Sequence, residues 1–314
     1  MPTTASKTTV ALKHARRKAI KRLQYLVRPD GAWPSICIDS SGQTSQEFPP
    51  FTAAQGSLAL MSLKLPDAIE LRTRTQQYIQ QICEYPGLWR YWQKLPPDLD
   101  DTSVCSIVSR THPWIILGLN IQRILGQRDE HGLFRTWMVT SPDFKVEWNT
   151  LDPVVNANVV AYLGDHKWTQ PAQRWIEQLI IDEREADALV FYRQPMDLYL
   201  ALARAIWLVP PAFCLLETIL VERIFSLLKI ELASGHAMRV AQGIVALDLL
   251  GETFESSFRN RIVVQLLESQ SPQGGWAGLD IWTRSPESPG SFQSEALATA
   301  LCADAIERLI QQIQ

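Results

Sequence analysis

The chain is poor in the residues that mark several large function classes. Its five cysteines, Cys37, Cys83, Cys105, Cys214 and Cys302, form no CxxC pair and no metal-type spacing. That excludes a disulfide scaffold, and an odd, scattered set fits free thiols in a reducing compartment. Neither sign of charge dominates, since 30 Lys and Arg against 33 Asp and Glu leave a formal charge of −3, which gives no footprint for nucleic acid. No apolar run reaches the length that spans a bilayer, and the N-terminus lacks the apolar core of a secretory signal. No alternating stretch of useful length marks a strand. These absences describe a soluble cytoplasmic protein. Peripheral membrane contact is left to one basic segment, His14-Ala15-Arg16-Arg17-Lys18 through Lys21-Arg22. Its plainer reading is the solvated face of a first helix, with Leu12, Ala15, Ala19, Leu23 and Leu26 on the other side.

What the sequence does have is apolar helix-forming sequence and tryptophan. Hydrophobic residues make up 46%, enough for a sizeable core, and there are 11 tryptophans, several beside glycine or proline. A repeat of roughly 50 residues runs through the chain, in the range of repeated supersecondary units. Each unit reads as an amphipathic helix, a loop and a more apolar helix. The amphipathic set falls near 10–27, 67–83, 113–126, 168–183, 212–229 and 257–270, and the apolar set near 51–63, 98–110, 152–164, 197–208, 236–250 and 292–308. Helices apolar on nearly every side are buried helices. Six of them alternating with six half-exposed ones predict an all-α fold, an (α/α)6 barrel of six inner and six outer helices over one domain, residues 1–314.

Parallel inner helices place all their N-termini at one end of the barrel. The loops entering them are long and aromatic: Asp30-Gly31-Ala32-Trp33, Pro86-Gly87-Leu88-Trp89-Arg90-Tyr91-Trp92, His131-Gly132-Leu133-Phe134-Arg135-Thr136-Trp137, Phe191-Tyr192 and Gly274-Gly275-Trp276. The returning connections are short, which marks the aromatic end as the functional face. The polar residues starting the inner helices become neighbours there: Thr52, Asp98, Asp100, Asp101, Asp152, Asn156, Asp197, His236, Arg239 and Glu295. Helix N-termini also suit an anion such as diphosphate.

The densest of these positions is Pro97-Asp98-Leu99-Asp100-Asp101-Thr102. Helix capping accounts for Asp98 as N-cap with Asp101 three residues later, but leaves Asp100 unexplained. Clustered carboxylates raise one another's proton affinity, and so does burial, whereas the helix dipole favours the ionised form. If burial and repulsion win, Asp100 is a carboxylic acid at neutral pH. Asn156 and Asn158 are costly inside an apolar helix unless satisfied, and Asn156 either faces the cavity or bonds a neighbouring inner helix.

This run resembles the DxDD(T) motif of class II terpene cyclases, the squalene–hopene and diterpene cyclase superfamily. Gln270-Ser271-Pro272-Gln273-Gly274-Gly275-Trp276 is similar to the family's QW repeat, and Arg28-Pro29-Asp30-Gly31-Ala32-Trp33 looks like a degenerate copy. The resemblance implies proton-initiated cyclisation of a linear polyprenyl substrate, a polyprenyl diphosphate or related isoprenoid, through carbocations. It implies Asp100 as the acid, with Asp98 and Asp101 hydrogen-bonding and tuning it. Aromatic faces would stabilise the cations by roughly 2 kcal/mol or more each when desolvated. Trp89, Trp92, Trp137, Trp148, Tyr192, Trp276 and Trp282 are the leading substrate-binding candidates, with Tyr91, Phe134 and Phe191 beside them. Each has loop packing as its plainer role. Asn156, Asp197, His236 and Arg239 are the polar candidates, His236 as the partner behind the acid.

No DDxxD-type metal motif is present, so no cofactor is expected, with Mg2+ entering only if the substrate carries diphosphate. Arg90, Lys94, Arg135, Arg193, Arg239 and Arg284 are the cations available to such a group. Class II cyclases normally pair this barrel with a second one, and this chain has room for one. A lid would come from its own loops, from a second copy or partner protein over the barrel mouth, or from a membrane. Two other readings compete. Helical barrels also host carbohydrate enzymes, in which Asp100 would oppose Asp152, Asp197 or Glu295 across a sugar. The third reading is a non-catalytic isoprenoid-binding or scaffold relative. A closed aromatic cavity favours the cyclase, and an open polar groove the carbohydrate enzyme.

Overall fold

The structure is a computed structural model and describes residues 4–93, 95–139, 149–283 and 290–313. Its helices are α1 (Thr4–Leu26), α2 (Pro50–Ala59), α3 (Pro66–Gln81), α4 (Leu99–Val108), α5 (Pro113–Ile116), α6 (Ile121–Leu125), α7 (Pro153–Leu163), α8 (Gln170–Ile181), α9 (Glu185–Ala188), α10 (Pro195–Leu208), α11 (Glu217–Ser234), α12 (Ala237–Leu249), α13 (Ser256–Glu268) and α14 (Glu295–Ile313). The apolar set closes a ring: α2 packs on α4, α4 on α7, α7 on α10, α10 on α12, α12 on α14 and α14 on α2. Outside it, α3 lies on α2, α8 on α7, α11 on α12, and α1 and α13 on α14. The ring helices are buried on nearly every side. In α7 every residue from Pro153 to Ala161 is buried, and α12 is buried from Ala237 to Leu247.

Two expectations are corrected. The chain is not all-α. Four short antiparallel strands, β1 (Ser35–Ile38), β2 (Thr44–Glu47), β3 (Trp282–Thr283) and β4 (Ser291–Gln293), form one sheet in the order β2-β1-β4-β3. Strands of two to four residues are too short for alternation to stand out in a sequence. The sheet ties the loop before α2 to the loop before α14, with Cys37 paired to Phe292 and Phe292 to Trp282. The outer helix expected over 113–126 is broken into α5 and α6, because Gly118 turns between them at φ +62°. Asn120 fills the break. Its amide donates to the Gly87 carbonyl and Ser106 Oγ at 3.0 Å each, and its oxygen accepts from Tyr162 Oη at 2.9 Å.

The basic segment on α1 is only partly a solvated face. Arg16 is buried and ion-paired with Glu307 of α14. Arg22 holds Glu295 of the same helix through two bonds, at 2.7 and 2.9 Å. His14, Arg17 and Lys21 remain exposed. Among the described residues no helix is long and apolar enough to cross a membrane.

The aromatic loops carry a recurring device. Gly31, Gly87, Gly132 and Gly274 all take positive φ, and each stands two residues before a buried Trp33, Trp89, Phe134 or Trp276. At Gly31 a Cβ would lie 2.3 Å from the Arg74 carbonyl oxygen, so the turn admits no side chain. The indoles then bond outer helices: Trp33 Nε1 donates to Thr75 Oγ1 at 2.9 Å, Trp89 Nε1 to the Ile79 carbonyl at 2.8 Å, and Trp276 Nε1 to the Leu266 carbonyl at 3.0 Å. Gln270 completes the last copy, its amide donating to the Ala15 and Gly274 carbonyls at 2.9 Å each.

Candidate active site

The acidic run lies where α4 begins, its backbone clamped between two aromatic loops. Asp98 N donates to the Trp89 carbonyl at 3.2 Å, Leu99 N to Thr136 at 2.8 Å, and Met138 N to Pro97 at 2.9 Å. Asp98 is the N-cap, and its Oδ1 accepts from Asp101 N at 2.7 Å. Its other oxygen and Asp101 Oδ1 are both buried without a hydrogen-bond partner among the described residues. Two buried carboxyl groups this close favour a proton on one of them. Burial pushes Asp98 up to about 6, and burial followed by repulsion from Asp98 holds Asp101 well above the ordinary range.

Asp100 points elsewhere. Its Oδ1 accepts from Asn158 Nδ2 of α7 at 2.7 Å, and its Oδ2 accepts from the Tyr192 hydroxyl. Asp100 is half-buried and lines a partly open cavity. Burial pushes its carboxyl up to about 7, against the pull of the Tyr192 and Asn158 donors and with the help of negative charge on Asp98 and Asp152. Burial and like charge therefore outweigh the two donors.

The cavity over Asp100 is walled by Phe51, Tyr91, Trp92, Trp137, Phe191, Tyr192, Trp282 and Phe292, with Asp98, Asp101 and Thr136 as further polar neighbours. The rings brace one another edge to face: Phe51 and Trp282 at 5.2 Å, Tyr91 and Phe292 at 5.1 Å, Trp137 and Phe191 at 6.0 Å. Trp282 Nε1 donates to Tyr91 Oη at 2.8 Å, so the polar edges of this wall are used on each other. The space measures about 60 Å3, and a second chamber of about 30 Å3 continues past Phe51, Tyr192 and Trp282 toward Asp197 and Arg204.

Asp152 builds the opposite rim. Its Oδ1 caps α7 through Val154 N at 2.8 Å, and its Oδ2 accepts from Val190 N at 3.0 Å and Phe191 N at 2.9 Å. That fixes the segment carrying Tyr192, which also bridges to Trp282.

The structure brings Asp98, Asp100, Asp101, Trp92, Trp137, Tyr192 and Trp282 to one cavity. It leaves the other candidates elsewhere, each for a local reason. Trp89 and Trp276 turn outward to α3 and α13, as above. Asn156 bonds no neighbouring inner helix: it spends its side chain on the backbone N–H and carbonyl of Phe134, at 2.9 Å each, and so holds a loop. Asp197 closes a capping box with Gln194 and pairs with Arg239, which also donates to the Asp280 carbonyl at 3.0 Å. His236 is not behind the acid: it meets Glu231 at 2.8 Å in a separate polar depression with Arg193 and Asp280. Trp148, Lys94 and Arg284 lie outside the described residues. Among the described residues no Lys or Arg lines the cavity over Asp100. Arg90 is bound to Glu84 and Arg135 to the Asn149 carbonyl. No group of three or more described His, Cys, Asp or Glu side chains is placed to share a metal ion.

Sequence reasoning missed Phe51 and Phe292 as wall residues and Asn158 as a partner of the acid. It also missed Arg204. Phe292 carries no local signal, because its pairing in the sheet aims it inward, and Phe51 sits at the start of α2 among other buried residues of that helix. Asn158 and Arg204 do carry one: a polar side chain alone in an apolar helix.

No protein-family model matches the chain, and no curated protein matches it in sequence. Solved structures do match its fold. A variant of type II terpene cyclase MstE from Scytonema, in complex with its substrate geranylgeranyl dihydroxybenzoate, aligns at a TM-score of 0.72 and 13% identity, over 98% of this chain and 99% of that one. Another MstE variant, holding its product merosterolic acid A, aligns at 0.71 and 12% over the same shares. A protein from Actinoplanes aligns at 0.71 and 15%, over 95% of this chain and 99% of that one. At such identities the likeness is one of fold, a terpene-cyclase-like helical barrel.

Proposed function

We propose that this chain is a type II terpene cyclase-like enzyme that protonates the terminal double bond of a linear polyprenyl substrate and guides the resulting cation to ring closure. The observation that carries the reading is Asp100: a carboxyl group pushed up to about 7, held by two donors, facing an aromatic cavity. An isolated alkene is a very poor base, so protonation needs the cation stabilised as it forms and water kept away from it. In the step, the O–H bond of Asp100 breaks and the alkene's π pair forms a C–H bond. Positive charge is left on the neighbouring carbon, within reach of the rings of Trp137, Phe191, Tyr192 and Trp282. Loss of a proton from the final cation ends the sequence without net redox change. Burial and mutual repulsion raise the proton affinity of Asp98 and Asp101, which keeps the cluster from accumulating three negative charges.

The lining also bears on substrate class. With no described cation lining the cavity over Asp100, the end that reacts is hydrocarbon, and any charged or aromatic head group lies away from the acid. A space of about 60 Å3 holds a few waters and not a polyprenyl chain, so binding requires the ring wall to part. The carbohydrate reading needs a second free carboxylate, whereas Asp152 caps α7, Asp197 pairs with Arg239 and Glu295 pairs with Arg22.

The test is incubation of the protein and its Asp100→Asn variant with squalene, farnesyl diphosphate, geranylgeranyl diphosphate and a geranylgeranylated dihydroxybenzoate, with products analysed by mass spectrometry. The expected result is an isomeric product with fewer double bonds, from at least one substrate and only with Asp100 intact. Undiminished turnover by the variant removes Asp100 as the acid. Failure with all four substrates, with polyprenyl binding intact, leaves the non-catalytic binding relative.

A further inference from the structure

Arg204 stands in the run from Leu198 to Leu208 of α10 as its one charged residue. It is 8% exposed, and among the described residues no hydrogen bond or ion pair reaches its guanidinium. A buried cation without a partner is costly. The other buried arginines are matched: Arg16 with Glu307 and Arg239 with Asp197. Arg204 lines the chamber behind the acid together with Asn158 and Tyr192, the two residues that bond Asp100. Its far side borders a cavity of about 210 Å3 at the other end of the barrel, where Asp304 lies.

We propose that Arg204 is a positioning residue whose uncompensated charge stabilises the carboxylate that Asp100 becomes when it gives up its proton; this rests on the cyclase reading above. When the O–H bond of Asp100 breaks, a carboxylate and a carbocation form side by side, and the easiest event is return of the proton. Negative charge drawn back toward Tyr192, Asn158 and the cation behind them makes the carboxylate a weaker base and gives the carbocation time to react along the chain.

The groups facing Asp100 are few. α4 itself brings Asp98 and Asp101, the rim brings Asp152 and Tyr192, and α7 brings Asn158. α10 brings Asp197, already bound to Arg239 and Gln242 of α12. α14 brings Asp304, bound to Ser62 and Arg308. α2 brings Phe51 and Gln55, without charge. Arg204 is the cation in this set that no carboxylate neutralises. Burial lowers its own value to about 10, so it remains charged at neutral pH, and its interaction runs to Tyr192, Asp100 and Asp304.

The experiment is titration of the Asp100 carboxyl by infrared difference spectroscopy against Asp100→Asn, in the full chain and in Arg204→Met and Arg204→Lys, with cyclisation rates across pH. In Arg204→Met the titration moves up by about one unit. The low-pH plateau of kcat falls about threefold as the acid weakens, KM stays, and the alkaline limb shifts to higher pH with the titration. Arg204→Lys keeps the wild-type titration. A merely structural arginine would lower rates without moving Asp100. If Arg204→Met does not fold, Arg204→Gln carries the same comparison. An unmoved titration overturns the proposal. A moved titration, with no polyprenyl turned over by the unmodified chain, overturns the cyclase reading and leaves the charge coupling standing.

Discussion

Asp100 is tied to two elements through two oxygens, and its protonation state follows from what those ties do not supply. Asn158 and Tyr192 favour the carboxylate, but burial outweighs them and sets the group near pH 7. The folded chain thus holds this proton more tightly than the unfolded chain, where a carboxyl titrates near pH 4. The stability linked to it is fully present below about pH 4 and is lost as pH rises through about 7. Asp100→Asn therefore matches the wild type in thermal melts at pH 4 and exceeds it at pH 8, by on the order of 2–4 kcal/mol, while cyclisation is abolished. The rate of the unmodified enzyme is high below pH 7 and declines above it as the acid is lost. Tyr192→Phe removes the hydroxyl that stabilises the carboxylate. It raises the titration of Asp100 and costs roughly 10- to 100-fold in kcat, checked by pH–rate profiles of the two proteins.

At the scale of elements, the site depends on caps. Asp152 joins the start of α7 to the segment carrying Tyr192 with three backbone bonds, at 2.8, 3.0 and 2.9 Å. Asp152→Ala removes the cap and leaves two N–H groups without an acceptor, an expected loss of about 2–4 kcal/mol in denaturant unfolding, with Tyr192 no longer held against Asp100. The inner helices were legible in the sequence because burial on every side leaves a compositional mark, and the Asp98 cap because its spacing is local. The sorting of aromatics was not legible. Trp89 and Trp92 stand three residues apart in one loop, yet the first bonds α3 and the second lines the cavity. Backbone turning at Gly87 decides this, and residue type does not. The split of the third outer helix was equally hidden, because Gly118 in a periodic run looks tolerable until its positive φ is seen.

For the whole molecule, ring closure makes a chamber out of residues scattered from Phe51 to Phe292. The ring order α2, α4, α7, α10, α12, α14 follows the chain, so neighbours in sequence are neighbours in space, and the repeat foretold the barrel. The small sheet was not foretold. It joins the first and last loops and aims Trp282 and Phe292 over the acid, a contact across about 250 residues that no local pattern encodes. Arg204, two ring helices on from Asp100, was also missed, although a lone charge in an apolar helix is a local signal.

The most direct test of the central claim is cyclisation in D2O. If Asp100 delivers an exchangeable proton to the terminal alkene carbon, the cyclised product carries one deuterium on that carbon, and Asp100→Asn yields no such product. A cyclised product free of deuterium, or one formed equally by the variant, would contradict the account.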